Sequence, residues 1–142
     1  MSQKLYEQDF YAWTLQQAEL LRSQTQQDLD WANLAEELED MGKNLKRELE
    51  SRLKVLFAHL LKWQYQPSHR GHSWQYTIEE QRNEPADHLA DNPSLRSKLP
   101  EAIERGHRNA IVVATRETGL SKSSFPTYCP WNAEQVLDSA FL

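Results

Sequence analysis

At 142 residues the chain has the size of one domain and is too short for two ordinary cores. Its composition is polar, with 26% charged residues and a mean hydropathy of −0.80, yet five Trp, five Tyr and four Phe bury enough area per residue to exclude disorder. The net charge of −5 argues against broad nucleic-acid affinity and leaves room only for a local basic patch.

With four Gly and six Pro the chain has few breakers, so long elements are expected. A first helix is predicted from Asp9 to Ser23, with Asp9 as N-cap and Phe10, Trp13, Gln17, Leu20 and Leu21 along one face. The glutamine-rich stretch from Ser23 to Gln27 ends it. Apolar residues then fall at Leu34, Leu38, Met41, Leu45, Leu49, Leu53, Leu56, Leu60 and Trp63. Steps of three and four over so long a span predict a single amphipathic helix, its seam set against the other helices. Asp30 or Asn33 caps it, Glu36 and Glu37 suit its positive end, and Pro67 stops it. Gly42, costly inside a helix, suggests a close crossing there.

A third helix is predicted from Trp74 to about Ala90 with Ser73 as N-cap, and Pro85 within it implies a kink or break. Asn92-Pro93-Ser94 is a turn signal. The fourth helix buries Leu95, Leu99, Ile103, Ala110, Val113 and Ala114. Pro100 splits off its first turn, and Gly119 provides a left-handed C-cap. The segment Ser121 to Trp131 reads as an extended tail wrapping the bundle. Asn132 with Gln135 forms a capping box that opens a short last helix. The expectation is an all-α, four-helix bundle-like single domain covering residues 1–142, with a wrapping tail and a short C-terminal helix.

Several motifs occur in a fixed order. Asn33-Leu34-Ala35-Glu36-Glu37-Leu38-Glu39-Asp40-Met41-Gly42 is followed by His59-Leu60-Leu61-Lys62-Trp63-Gln64-Tyr65-Gln66-Pro67, then Ser73-Trp74, Ile78 and Gln81-Arg82. Pro93-Ser94-Leu95, Glu117-Thr118-Gly119-Leu120, Phe125-Pro126 and Cys129-Pro130 complete the order. Over nearly its whole length the chain resembles the family called domain of unknown function 29. That resemblance implies a bacterial helical bundle without established activity. Pro85 stands where such sequences usually carry an aliphatic residue.

No complete catalytic constellation is visible. Glu104-x-x-His107 has the spacing of a bundle metal motif but lacks a second copy, and no His-x-x-x-His occurs, so neither a metal site nor a cofactor is expected. Cys129 has no base beside it in sequence and reads as a small buried hydrophobe. As the lone cysteine it points to a reducing compartment. With no apolar stretch of membrane-spanning length and no signal-peptide pattern, the expected location is cytoplasmic, away from membranes.

On the long helix, Glu48 with Arg52 reads as an intrahelical pair within a register-fixing network. Around the turn between the second and third helices, Lys62, Trp63, Tyr65, Arg70, Trp74 and Arg82 form a basic and aromatic cluster. Such a cluster suits a protein interface or an anionic polymer, and equally a clamp that shuts the hairpin. The leading expectation is a non-enzymatic interaction module for a protein partner or a second copy, in the manner of an antitoxin. The alternative is a small hydrolase or nucleic-acid-processing enzyme that gathers Glu37, His59, Arg70 and Arg82 between the second and third helices.

Overall fold

The structure is a computed structural model that describes residues 2–142. Among the described residues every regular element is helical: α1 (Ser2–Gln8), α2 (Phe10–Arg22), α3 (Trp31–Tyr65), α4 (His72–Asp91), α5 (Leu99–Thr118) and α6 (Ala133–Leu137), linked by short 3-10 turns. The all-α expectation holds, and the four predicted main helices are α2 to α5. The chain divides into two compact units, Met1–Asn44 and Leu45–Leu142.

In the N-terminal unit, Asp9 caps α2 as predicted, its carboxylate accepting the Ala12 amide at 3.0 Å. The helix ends where Gln24 turns left-handed at φ 57° and the Thr25 amide returns to the Leu20 carbonyl at 2.9 Å. Trp13 and Gln17 lie four residues apart, hence on one face of α2, and both are buried. Each then fastens the loop before α3: Trp13 Nε1 donates to Asp30 Oδ2 at 3.1 Å, and Gln17 Oε1 accepts the Asp30 amide at 2.9 Å. Asp30 also receives the Asn33 side-chain amide at 2.8 Å and its backbone amide at 3.4 Å, so it caps α3. The helix α1 was not foreseen. It brings Tyr6 edge-on to Trp13, with ring centroids 4.8 Å apart.

The C-terminal unit holds most of the core. Leu49, Leu53, Leu56 and Leu60 of α3 are fully buried together with Phe57 and Leu61. Facing them within the unit are Ile78 and Leu89 of α4, Ile103, Ala110 and Ala114 of α5, and Phe125, Trp131 and Val136 of the tail. Gly119 caps α5 at φ 76°, and Asn132 and Gln135 form the expected capping box on α6.

Four local expectations change. The close crossing lies at Gly106, not Gly42. A Cβ on Gly106 would stand 3.1 Å from Leu53 Cβ and 3.3 Å from the Glu50 carbonyl, whereas one on Gly42 would meet nothing within 4 Å. Helix α4 begins at His72 behind Gly71, which leaves Ser73 inside the first turn rather than at the cap. It also runs unbroken through Pro85, which is itself fully buried among the core residues. One missing backbone hydrogen bond does not outweigh packing on both sides of it. The split expected at Pro100 is present, since a 3-10 turn over Pro93–Lys98 carries Leu95 ahead of the main helix, and Pro100 stands in the first turn of α5, where an amide donor would lack an intrahelical acceptor anyway. Finally α3 starts three residues before Leu34, which puts Glu36 and Glu37 beyond the first turn and leaves Asp30 to meet the helix dipole.

Candidate interaction surfaces and polar sites

The N-terminal unit contains a groove of about 370 Å³ between α2 and the start of α3, lined by Phe10, Trp13, Leu21, Leu34, Leu38 and Met41. Its residues recur at helical spacing on each wall, which is the pattern of a face that expects cover. Yet Leu38 is 66% exposed and Met41 60% exposed. Glu37 stands at the groove edge and accepts the Tyr6 hydroxyl at 2.5 Å, a bond that pushes the Tyr6 phenol up to about 12. Residues 1–44 carry nine carboxylates against three cations, a net charge of −6, while residues 45–142 carry twelve against thirteen, a net +1. All of the protein's net negative charge therefore sits on the unit with the uncovered groove. The asymmetry emerges only when the charges are counted on either side of the boundary after Asn44.

The predicted basic and aromatic cluster is engaged with itself. Trp63 and Trp74 meet edge to face with centroids 5.7 Å apart, Arg70 lies 4.9 Å from the Trp63 ring centroid, and its Nε donates to the Trp63 carbonyl at 2.7 Å. Tyr65 packs edge-on to Phe125 at 5.1 Å, and Lys62 pairs with Glu117 at 2.5 Å. Arg82 is only 3% exposed and does not join the others at the hairpin end, lining instead a recess of about 330 Å³ with Gln75, Tyr76, Glu79 and Ser139. Its Nε and Nη1 donate to the carbonyls of Val136 and Ser139, tying α4 to the tail. Burial lowers its pKa, with Asp138 opposing.

The four residues of the enzymatic alternative work separately. Glu37 belongs to the N-terminal unit and bonds Tyr6. In the C-terminal unit, Arg70 is on Trp63, Arg82 on the tail, and His59 lines a recess of about 150 Å³ with Lys54, Lys62 and Glu117. Burial, and then Lys62, lower the His59 pKa while Glu117 opposes them, and its Nδ1 is buried without a hydrogen-bond partner. The Glu48–Arg52 pair forms at 3.3 Å, and Arg52 also reaches Glu84 at 3.2 Å. His88 Nε2 donates to the Leu45 carbonyl at 2.7 Å. His107 is buried beside Trp131. Cys129 Sγ donates to the Trp131 carbonyl at 3.5 Å, and burial pushes its thiol up to about 11, the opposite of what a nucleophile needs. Among the described residues no three of His, Cys, Asp and Glu converge as metal ligands would.

A larger cavity escaped the sequence reading. It measures about 710 Å³ and opens in the C-terminal unit between α5, which supplies Glu104, Arg105, Arg108 and Ile111, and the chain that follows it, which supplies Lys122, Ser123, Phe125, Thr127 and Tyr128. Arg105 is held by Glu101 at 3.0 Å and Glu50 at 3.5 Å. Arg108 and Lys122 form no ion pair among the described residues. Only the approach of the tail to one face of α5 assembles this set, so helical periodicity alone could not reveal it.

Together these features define an all-α protein with an acidic, open helical unit and a second helical unit that holds the larger core. The chain belongs to the family Domain of unknown function DUF29, whose model matches residues 5–142. No curated protein and no solved structure is similar to it. Among the described residues no helix is long and apolar enough to cross a membrane.

Proposed function

We propose that the protein is a non-enzymatic interaction module whose N-terminal unit receives a basic amphipathic helix of a protein partner. The observation that carries this reading is the groove between α2 and α3, apolar at its floor and uncovered, on a unit of net charge −6. A helix laid into such a groove buries side chains at i, i+3, i+4 and i+7, and cations on its flanks meet the acidic rim. A second copy of this chain is the poorer occupant, because two faces of −6 repel. The hairpin end bearing Trp63 and Arg70 is the poorer surface, because its side chains already hold one another. An antitoxin-like role, masking a basic partner, falls within the proposed class.

The test uses a Leu/Lys peptide of that helical spacing, a scrambled peptide of equal composition, and the variant Leu38→Asp with Met41→Asp. The amphipathic peptide is expected to bind and the scrambled one not, and the double variant, with its circular dichroism unchanged, should lose binding about tenfold or more. Equal binding of both peptides, or an unaffected variant, overturns the reading. Sedimentation showing a dimer that the double variant abolishes would hand the groove to a second copy.

A further inference from the structure

The cavity beside α5 lies wholly within the C-terminal unit and owes nothing to the interaction groove. Its volume of about 710 Å³ falls in the range of small-molecule sites. The floor is apolar, since Ile111 and Phe125 are buried core residues. The rim is cationic, with Arg105, Arg108 and Lys122 against a single carboxylate, Glu104. In a chain of net charge −5, a local excess of two positive charges at a concave site is a departure from the protein's overall character.

The cations are not equivalent. Arg105 already has Glu101 and Glu50 as partners, so its charge is committed. Arg108 comes one helical turn later on the same face of α5, and Lys122 follows in the turn after that helix. Neither has an ion-pair partner among the described residues. A guanidinium fork and an ammonium left unpaired across one cavity suit a phosphate group, which accepts several charge-assisted hydrogen bonds at once. Hydroxyls of Ser123 and Thr127 add neutral donors on the same wall. Tyr128 is 78% exposed although it lines the cavity, which leaves its ring face free to stack on a planar group.

We infer that this cavity binds a small organic phosphate bearing a planar ring, of the mononucleotide type, with Arg108 and Lys122 on the phosphate and Tyr128 on the ring. Isothermal titration with ADP, pyrophosphate and adenosine separates the two halves of the site. ADP is expected to bind most tightly, pyrophosphate less so and adenosine least. Binding of ADP should weaken as salt rises. Arg108→Gln with Lys122→Gln should weaken ADP and pyrophosphate about tenfold or more, and Tyr128→Ala should weaken ADP by about threefold to tenfold while leaving pyrophosphate unchanged. All three side chains are exposed, so the variants should fold, and a thermal melt checks that. The inference is overturned if ADP at millimolar concentration gives no heat, if the double variant binds ADP as well as the parent, or if adenosine binds as well as ADP. A single-stranded oligonucleotide that binds far more tightly than ADP also overturns it, since the ligand would then be a polymer.

Discussion

Helix α3 carries one apolar stripe through two environments. In its first half Leu38 and Met41 face open space, while in its second half Leu49, Leu53, Leu56 and Leu60 are fully buried. The spacing is the same in both. Periodicity therefore reports which face of a helix is apolar, not whether anything covers it, and the uncovered half is where a binding function has room. The comparison breaks most visibly on truncation. Leu56→Ala should cost about 2–5 kcal/mol in urea denaturation, because the cavity it leaves is enclosed. Leu38→Ala should change stability by no more than about 0.5 kcal/mol. If the two were equally destabilising, Leu38 would be covered and the groove would lose its standing as a docking surface.

The two glycines sharpen the contrast with opposite signs. Gly106→Ala forces a methyl to within 3.1 Å of Leu53 Cβ and against α3 backbone, so it should destabilise by about 1–3 kcal/mol. Gly42→Ala meets nothing and removes a poor helix former, so it should stabilise by up to about 1 kcal/mol. Thermal melts of the two variants read this directly. A loss of stability in Gly42→Ala would restore the close crossing that the sequence suggested there.

Those glycines also show how far the sequence could be read. The caps at Asp9, Gly119 and Asn132 were legible because capping is local chemistry between residues three or four apart. The long helix was legible because its repeat extends over many turns. Which glycine touches a neighbouring helix was not, since α3 and α5 meet only in the folded chain. The same limit hid the cavity at Arg108 and Lys122, whose walls come from a helix and the irregular chain beyond it. It also misplaced Arg82, a cation in an apparent basic cluster that folding turns inward onto tail carbonyls. The charge asymmetry that singles out the N-terminal unit was hidden in the same way, because the two halves of the chain carry −2 and −3 and only a count taken at the boundary after Asn44 separates −6 from +1.

Asp30 offers a test confined to one unit. Although burial works to raise it, hydrogen bonds from the Asn33 side chain, Trp13 and the Asn33 amide hold its carboxyl below the usual carboxylate range. Asp30→Ala removes the cap of α3 and the partner of the Trp13 indole together, at a cost of about 1 kcal/mol. Amide hydrogen exchange should quicken in residues 4–44 and stay unchanged in α5. Asp30→Asn keeps one acceptor oxygen and should fall between the two.

The smallest effect expected is a difference in pH response. All five histidines, His59, His69, His72, His88 and His107, lie in the C-terminal unit. Burial lowers the pKa of His107, with Glu104 opposing, and burial followed by Lys62 lowers that of His59, with Glu117 opposing. A histidine depressed in the folded state binds its proton more readily in the unfolded chain. Its contribution is therefore neutral above the unfolded value near 6.5 and becomes destabilising as pH falls from there toward the folded value. For Asp30 the depressed carboxyl contributes stability that is lost only as pH falls below the ordinary carboxylate range, through its folded value. Between pH 7.5 and about 5.5, then, the protection of α5 amides relative to their intrinsic exchange rates should fall while that of α2 amides holds steady. His107→Gln should reduce the slope in α5 whatever it does to absolute stability. A parallel weakening of α2 over that interval would mean that the two units do not respond to protons separately.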